Sequence, residues 1–162
     1  MPLSFEPVVG PSPKILILGS MPGVESLRRQ EYYGHPQNQF WRLLGEVIGT
    51  DLQSLSYAKR LSVLKKKGIA LWDTIKACER EGSLDSDICD EEPNEISGLV
   101  RETGVRAVFL NGGKARQMFL RHIAEGLSTE VTVVDLPSSS PAAASIPYPE
   151  KLRRWRRIAD FL

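Results

Sequence analysis

The sequence predicts an α/β protein, a three-layer α/β/α sandwich around a four-stranded parallel sheet. Three observations predict it. Four short, largely apolar runs, Lys14 to Leu18, Ile69 to Trp72, Val105 to Leu110 and Val131 to Leu136, lack polar alternation, as strands covered on both faces do. Segments with helical spacing separate them, which is the connection that parallel strands need. Each run also ends in a stretch of unusual chemistry: Ser20 to Asn38, Asp73, Asn111, and Pro137 to Pro141. In open parallel sheets ligands bind outside the carboxyl ends of the strands, so four segments far apart in sequence converge on one crevice.

Taken in order, residues 1 to 13 carry four prolines and read as an extended lead-in to the first strand. After that strand comes a long loop rich in Gly, Pro, aromatic and amide residues, longer than a plain connection needs. Phe40, Trp41, Leu43, Leu44, Val47 and Ile48 then fall at helical spacing, and Gly49 closes that helix. Tyr57 to Lys67 is a second helix with a basic end, stopped by Gly68. The second strand ends in Asp73. Residues 74 to 93 read as polar and irregular, with Gly82 to Asp87 as a surface loop. Pro93 and Asn94 open a helix to Glu102, and the third strand runs into Asn111-Gly112-Gly113. A helix from Lys114 to about Glu125 follows. After the fourth strand, the chain finishes in a helix from about Pro149, rich in Arg around Trp155.

At 162 residues the chain fits a single domain, 1–162. Its 41% hydrophobic and 25% charged residues are those of an ordinary globular protein. The net charge of +1 argues against a basic surface over the whole molecule, so a nucleic-acid partner would have to be met by a local patch. With no membrane-length apolar stretch and no signal-peptide pattern at the N-terminus, the expected location is cytoplasmic. Cys78 and Cys89 are expected as free thiols, since their spacing fits no zinc site and two are too few for a four-cysteine iron-sulfur cluster.

Several segments are candidates for chemistry. Gly19-Ser20-Met21-Pro22-Gly23 suits a phosphate cradle or a strand-to-loop turn; it matches no nucleotide-binding fingerprint. Tyr32 and Tyr33 either stack on a base or pack in the core. Asn38 either acts in the site or caps the helix that follows it, and one side-chain oxygen cannot easily do both. His35 is one of only two histidines. Asp73 and Asn111 end strands, where turn formation competes with a place in the crevice. Pro137-Ser138-Ser139-Ser140 lacks the histidine of a serine hydrolase and suits gripping a phosphodiester backbone. Lys151, Arg153, Arg154, Arg156 and Arg157 form either a solvated face or a basic patch.

Together, Gly19 to Gly23, Tyr32 to Trp41, Leu71-Trp72-Asp73, Gly82 to Asp87, Leu110-Asn111-Gly112 and Leu136 to Pro141 resemble the motifs of the uracil-DNA glycosylase superfamily. Within it they resemble the hypoxanthine (deoxyinosine) DNA glycosylases. The resemblance spans Lys14 to Pro141. Uracil-excising relatives carry Asp or Asn in the first motif and often His in the last, where this chain has Met21 and Leu136. The resemblance therefore implies that Asn38 takes over catalytic work and that Asn111 contributes to the base pocket. Gly19, Ser20, Met21, Tyr33 and His35 are expected to complete that pocket, and Pro137, Ser138, Ser139 and Ser140 to hold the DNA backbone.

Hypoxanthine presents an N1–H donor and an O6 acceptor where adenine presents the reverse. A freely rotating Asn111 amide would pair with either, so Asp73, which accepts from N1–H when ionised, is the expected source of base choice. The expected activity is that of a monofunctional glycosylase without metal or cofactor, acting as a monomer on double-stranded DNA that contains a deaminated base. The alternatives are a mismatch-directed uracil-DNA glycosylase and a flavodoxin-like nucleotide-binding module without catalysis.

Overall fold

The computed structural model describes residues 3–79 and 89–162, and for Glu79 and Cys89 the backbone alone. The expected surface loop at 82–87 lies outside the described residues. A sheet of four parallel strands forms the centre: β1 (Ile15–Gly19), β2 (Ile69–Asp73), β5 (Ala107–Asn111) and β6 (Thr132–Leu136), in the order β2-β1-β5-β6. The chain steps from β1 to β2 on one side and later returns to β5 on the other. The topological switch point therefore lies between β1 and β5, where such sheets bind ligands.

Side chains on β1, β2 and β5 alternate between two cores. Ile15, Ile17, Ile69, Leu71, Ala107 and Phe109 face helices α2 (Phe40–Ile48), α3 (Tyr57–Lys67) and α6 (Tyr148–Trp155). Leu16, Leu18, Ala70, Val108 and Leu110 face α4 (Ile96–Thr103) and α5 (Gly113–His122). Burial on both faces is why these strands read as unbroken apolar runs. Strand β6 is the exception: at the sheet edge it turns Val133 and Asp135 outward. The opposite edge is covered, because the lead-in segment pairs Val8 antiparallel with Leu71.

The helices obey their local signals. Ser56 Oγ accepts from Lys59 N–H to start α3, and Gly68 at φ 79° ends it. Gly49 ends α2 in the same left-handed conformation, which glycine adopts without the steric cost a side chain brings. Two expectations need correction. The long loop after β1 contains a short helix, α1 (Val24–Arg29). The stretch read as irregular forms an antiparallel hairpin of β3 (Ile75–Glu79) and β4 (Cys89–Pro93), with register shifts that break the alternation a sequence reader looks for. Among the described residues no helix is long and apolar enough to cross a membrane.

Candidate active site

The carboxyl ends of the strands are in register, with Gly19 beside Asp73, Leu18 beside Leu110, and Asn111 beside Leu136. Over them opens a cavity of about 370 Å³. Gly19, Ser20, Met21, Tyr33, His35, Asn38, Asp73, Asn111, Ser138, Ser139 and Ser140 all line it; of the residues expected in the base pocket or on the DNA backbone, Pro137 does not, and neither do the basic residues of the terminal helix.

Gly19 is a glycine because of what lies above it. A Cβ there would sit 2.5 Å from Asp73 Oδ1 and 3.0 Å from the Tyr33 hydroxyl. Its carbonyl accepts from Thr74 N–H at 2.8 Å and from Thr74 Oγ1 at 3.2 Å, so the backbone cannot yield. Asp73 is buried, and its own carbonyl accepts from Asn94 Nδ2 at 2.8 Å. Met21 packs against Ile75, Cys78 and Met118, a wall rather than a reactive group.

The two tyrosines separate. Tyr32 is a core residue: it is 3% exposed and its hydroxyl donates to the Glu6 carbonyl at 2.8 Å. Burial, with the Asp73 charge adding to it, pushes that phenol well above its ordinary value. Of the two readings open for this pair, packing in the core is the one that holds for Tyr32. Tyr33 lies flat on Phe40, ring centroids 3.8 Å apart and 11° from parallel, which occupies one of its faces. It does so at φ 54°, a backbone conformation that costs a side-chain-bearing residue about 1–2 kcal/mol. His35 is exposed at the rim, where its Nδ1 accepts from Gln37 N–H at 3.0 Å; the neutral ring then carries its proton on Nε2.

Asn38 both caps the start of α2 and lines the cavity. Its Oδ1 accepts from Phe40 N–H at 2.9 Å, satisfying a free amide at the start of α2, while the side chain lines the cavity. That bond uses neither the amide nitrogen nor the second lone pair of Oδ1.

Asn111 is held at both ends. Its Nδ2 donates to Ser139 Oγ and its Oδ1 accepts from Ser139 N–H, each at 3.0 Å. A backbone N–H can only donate, so turning the amide over would set two donors against each other. The expectation of an amide free to rotate is thereby corrected. Ser139 is 1% exposed, and its carbonyl accepts from Gln39 N–H at 2.9 Å, so this serine is an internal brace. Ser138 and Ser140 are partly exposed; their hydroxyl oxygens accept from Ser140 N–H and Ala142 N–H, which leaves each hydroxyl proton to donate outward. Gly112, at φ 97°, permits the close approach of this loop: a Cβ there would meet Ser138 Cβ at 2.9 Å.

The terminal helix clasps the site from behind. Trp155 is fully buried and donates to the Pro137 carbonyl at 2.9 Å, and Lys151, 2% exposed, donates to Gln39 Oε1 at 3.0 Å. The flanking arginines are surface groups: Arg153 and Arg154 pair with Glu150, and Arg157 with Asp160. Thr74 and Gln39 were given no role of their own in the sequence, Asn94 was read only as a helix start, and Lys151 only as part of a solvated face or basic patch. Gln39 could have been given one, as part of the same amide-rich segment as Asn38; the burial of Lys151 has no local signal.

The cavity thus lies at the switch point of a parallel sheet, lined by residues of the Gly-Ser-Met-Pro-Gly turn and the Pro-Ser-Ser-Ser-Pro loop. The sequence profile of the uracil DNA glycosylase superfamily matches residues 6–159, and the chain belongs to that superfamily. A protein of Methanosarcina acetivorans named hypoxanthine DNA glycosylase is 48% identical over 139 residues, 85% of each chain. A Methanosarcina barkeri protein of the same name is 51% identical over 112 residues, 68% of this chain and 71% of that one. The solution NMR structure of a Methanosarcina acetivorans protein described as a candidate uracil DNA glycosylase has a TM-score of 0.83 at 41% identity, covering 97% of this chain and 95% of that one.

Proposed function

We propose that this protein is a monofunctional DNA glycosylase that flips a deaminated base, foremost hypoxanthine, out of duplex DNA and hydrolyses its N-glycosidic bond, leaving an abasic site. One observation carries the reading. The cavity holds an Asn111 amide fixed in orientation together with the Asp73 carboxylate, a fixed donor and acceptor set suited to one base edge rather than to any base. The two relatives named hypoxanthine DNA glycosylase support the same substrate.

The chemistry follows from the residues. An inosine pair is weaker than a normal pair, so extrusion costs less at the lesion. In the pocket, Asp73 accepts from the N1–H of hypoxanthine and repels the N1 lone pair of adenine. Bond breaking leaves positive charge on the sugar and moves electrons onto the purine. Fixed donors at the base edge stabilise that charge without reorganising. Asn38 orients the attacking water or the sugar, its amide being held by the Phe40 bond. Ser138 and Ser140 donate their hydroxyl protons to backbone phosphates on either side of the flipped nucleotide.

Duplexes containing inosine, uracil or xanthine, incubated with the protein and then treated with alkali, test this reading. Breaks at inosine are expected. Breaks at uracil alone would replace it with a uracil-DNA glycosylase, and salt-sensitive DNA binding without any breaks would leave a binding module.

A further inference from the structure

Lys151 is an expensive residue where it stands. It is 2% exposed, and among the described residues its ammonium has one hydrogen bond, to the neutral Gln39 Oε1. Glu150, its neighbour in the chain, is engaged with Arg153 and Arg154, and among the described residues no carboxylate makes an ion pair with Lys151. It is the fourth residue of α6, on the N-terminal half of the helix, whose positive end does not favour a cation. A buried charge without a counter-charge destabilises the fold, and an apolar side chain of similar length would fill the space at lower cost. Packing alone therefore gives no reason for a lysine.

Its bond does reach both halves of the site. Gln39 follows Asn38 directly, and Gln39 N–H donates to the Ser139 carbonyl. Ser139 in turn clamps Asn111. One helical turn on, Trp155 holds the Pro137 carbonyl at the start of the same loop.

We infer that Lys151 is a positioning residue: by gripping Gln39 it locks the Asn38 segment to the Ser138–Ser140 loop and so fixes the Asn111 amide. This deepens the glycosylase reading and rests on it. Without the ammonium the Gln39 side chain is released, the backbone N–H that Gln39 gives to the Ser139 carbonyl is held less firmly, and both Asn38 and Asn111 loosen while the base still enters the cavity.

The experiment compares wild type with Lys151→Met, Lys151→Arg, Gln39→Leu and the Lys151→Met/Gln39→Leu double variant, reading kcat and KM on an inosine duplex, melting temperature, and the Asn111 side-chain amide resonances by NMR. Lys151→Met is expected to lower kcat on the order of 10–100-fold with KM little changed. Its melting temperature should equal or exceed that of the wild type. Arginine should restore part of the rate, and the double variant should be no worse than either single one. Wild-type kcat in Lys151→Met, additive losses in the double variant, or a fall in melting temperature with unmoved Asn111 resonances would each overturn the inference. If the wild type cleaves no inosine duplex, the glycosylase reading fails by itself. The NMR arm then still decides the coupling, which requires the Asn111 pair to shift or broaden in Lys151→Met.

Discussion

Asn111 and Ser139, 28 residues apart in the chain, exchange two hydrogen bonds of 3.0 Å that tie the end of β5 to the loop after β6. The pair turns a side-chain amide that could face either way into one with a set donor and acceptor. Ser139→Ala should lower stability by about 1–3 kcal/mol, because Asn111 Nδ2 is left buried without its acceptor. Preference for hypoxanthine over adenine should survive, since Ser139 N–H still holds Oδ1. Urea unfolding and paired substrate assays check the two halves separately.

Gly19→Ala tests the crowding above β1. The new methyl must displace the Asp73 carboxylate or the Tyr33 ring, because Thr74 pins the Gly19 carbonyl. The expected result is a folded protein destabilised by about 1–3 kcal/mol, as for other overpacked sites. Single-turnover rates on inosine DNA should fall on the order of 100-fold, as for a misplaced catalytic group.

Asn38 can be divided into its two roles by Ser and Ala. Asn38→Ser keeps an oxygen that can accept from the α2 amides, and should hold the wild-type melting temperature. Asn38→Ala should cost about 0.5–2 kcal/mol, the usual loss of a cap. Both should lose most of their single-turnover rate, since neither retains the amide that faces the cavity. A serine variant as active as wild type would reduce Asn38 to a cap.

Most of the parallel sheet and most of the cavity lining were readable in the sequence for a physical reason. Strands buried on both faces leave apolar runs, and their ends must carry whatever chemistry the crevice has. The β3–β4 hairpin was not readable because its shifted register removes alternation, and α1 was hidden in a loop whose Gly and Pro residues dominate the pattern. Asn38, Asp73 and Asn111 were visible as polar residues at strand and loop ends. What those residues are bonded to was not: the Ser139 clamp on Asn111 and the Lys151 grip on Gln39 join segments 28 and 112 residues apart. Lys151 in particular reads as one more charge on a basic helix.

The pH dependence of stability should carry the mark of Lys151. Burial lowers its affinity for a proton in the native state below the ordinary lysine value of 10.5. Between the lowered native value and 10.5 the unfolded chain binds more protons than the folded one, so wild-type stability rises with pH across that window. At lower pH both states are protonated and the burial penalty is constant. Relative to Lys151→Met, wild type should therefore gain stability as pH climbs toward 10.5, measured as the difference between their urea midpoints; a difference flat with pH would contradict it.

The central claim, excision of hypoxanthine by a pocket with a fixed edge, is tested most directly by single-turnover reactions on otherwise identical duplexes carrying inosine, uracil or adenine at one position. The released base is identified by mass, and Asn38→Ala runs alongside. The account predicts free hypoxanthine, an alkali-labile abasic site, negligible release of adenine, and a large rate loss in the variant. Release of uracil without hypoxanthine, or an unaltered rate in Asn38→Ala, would contradict it.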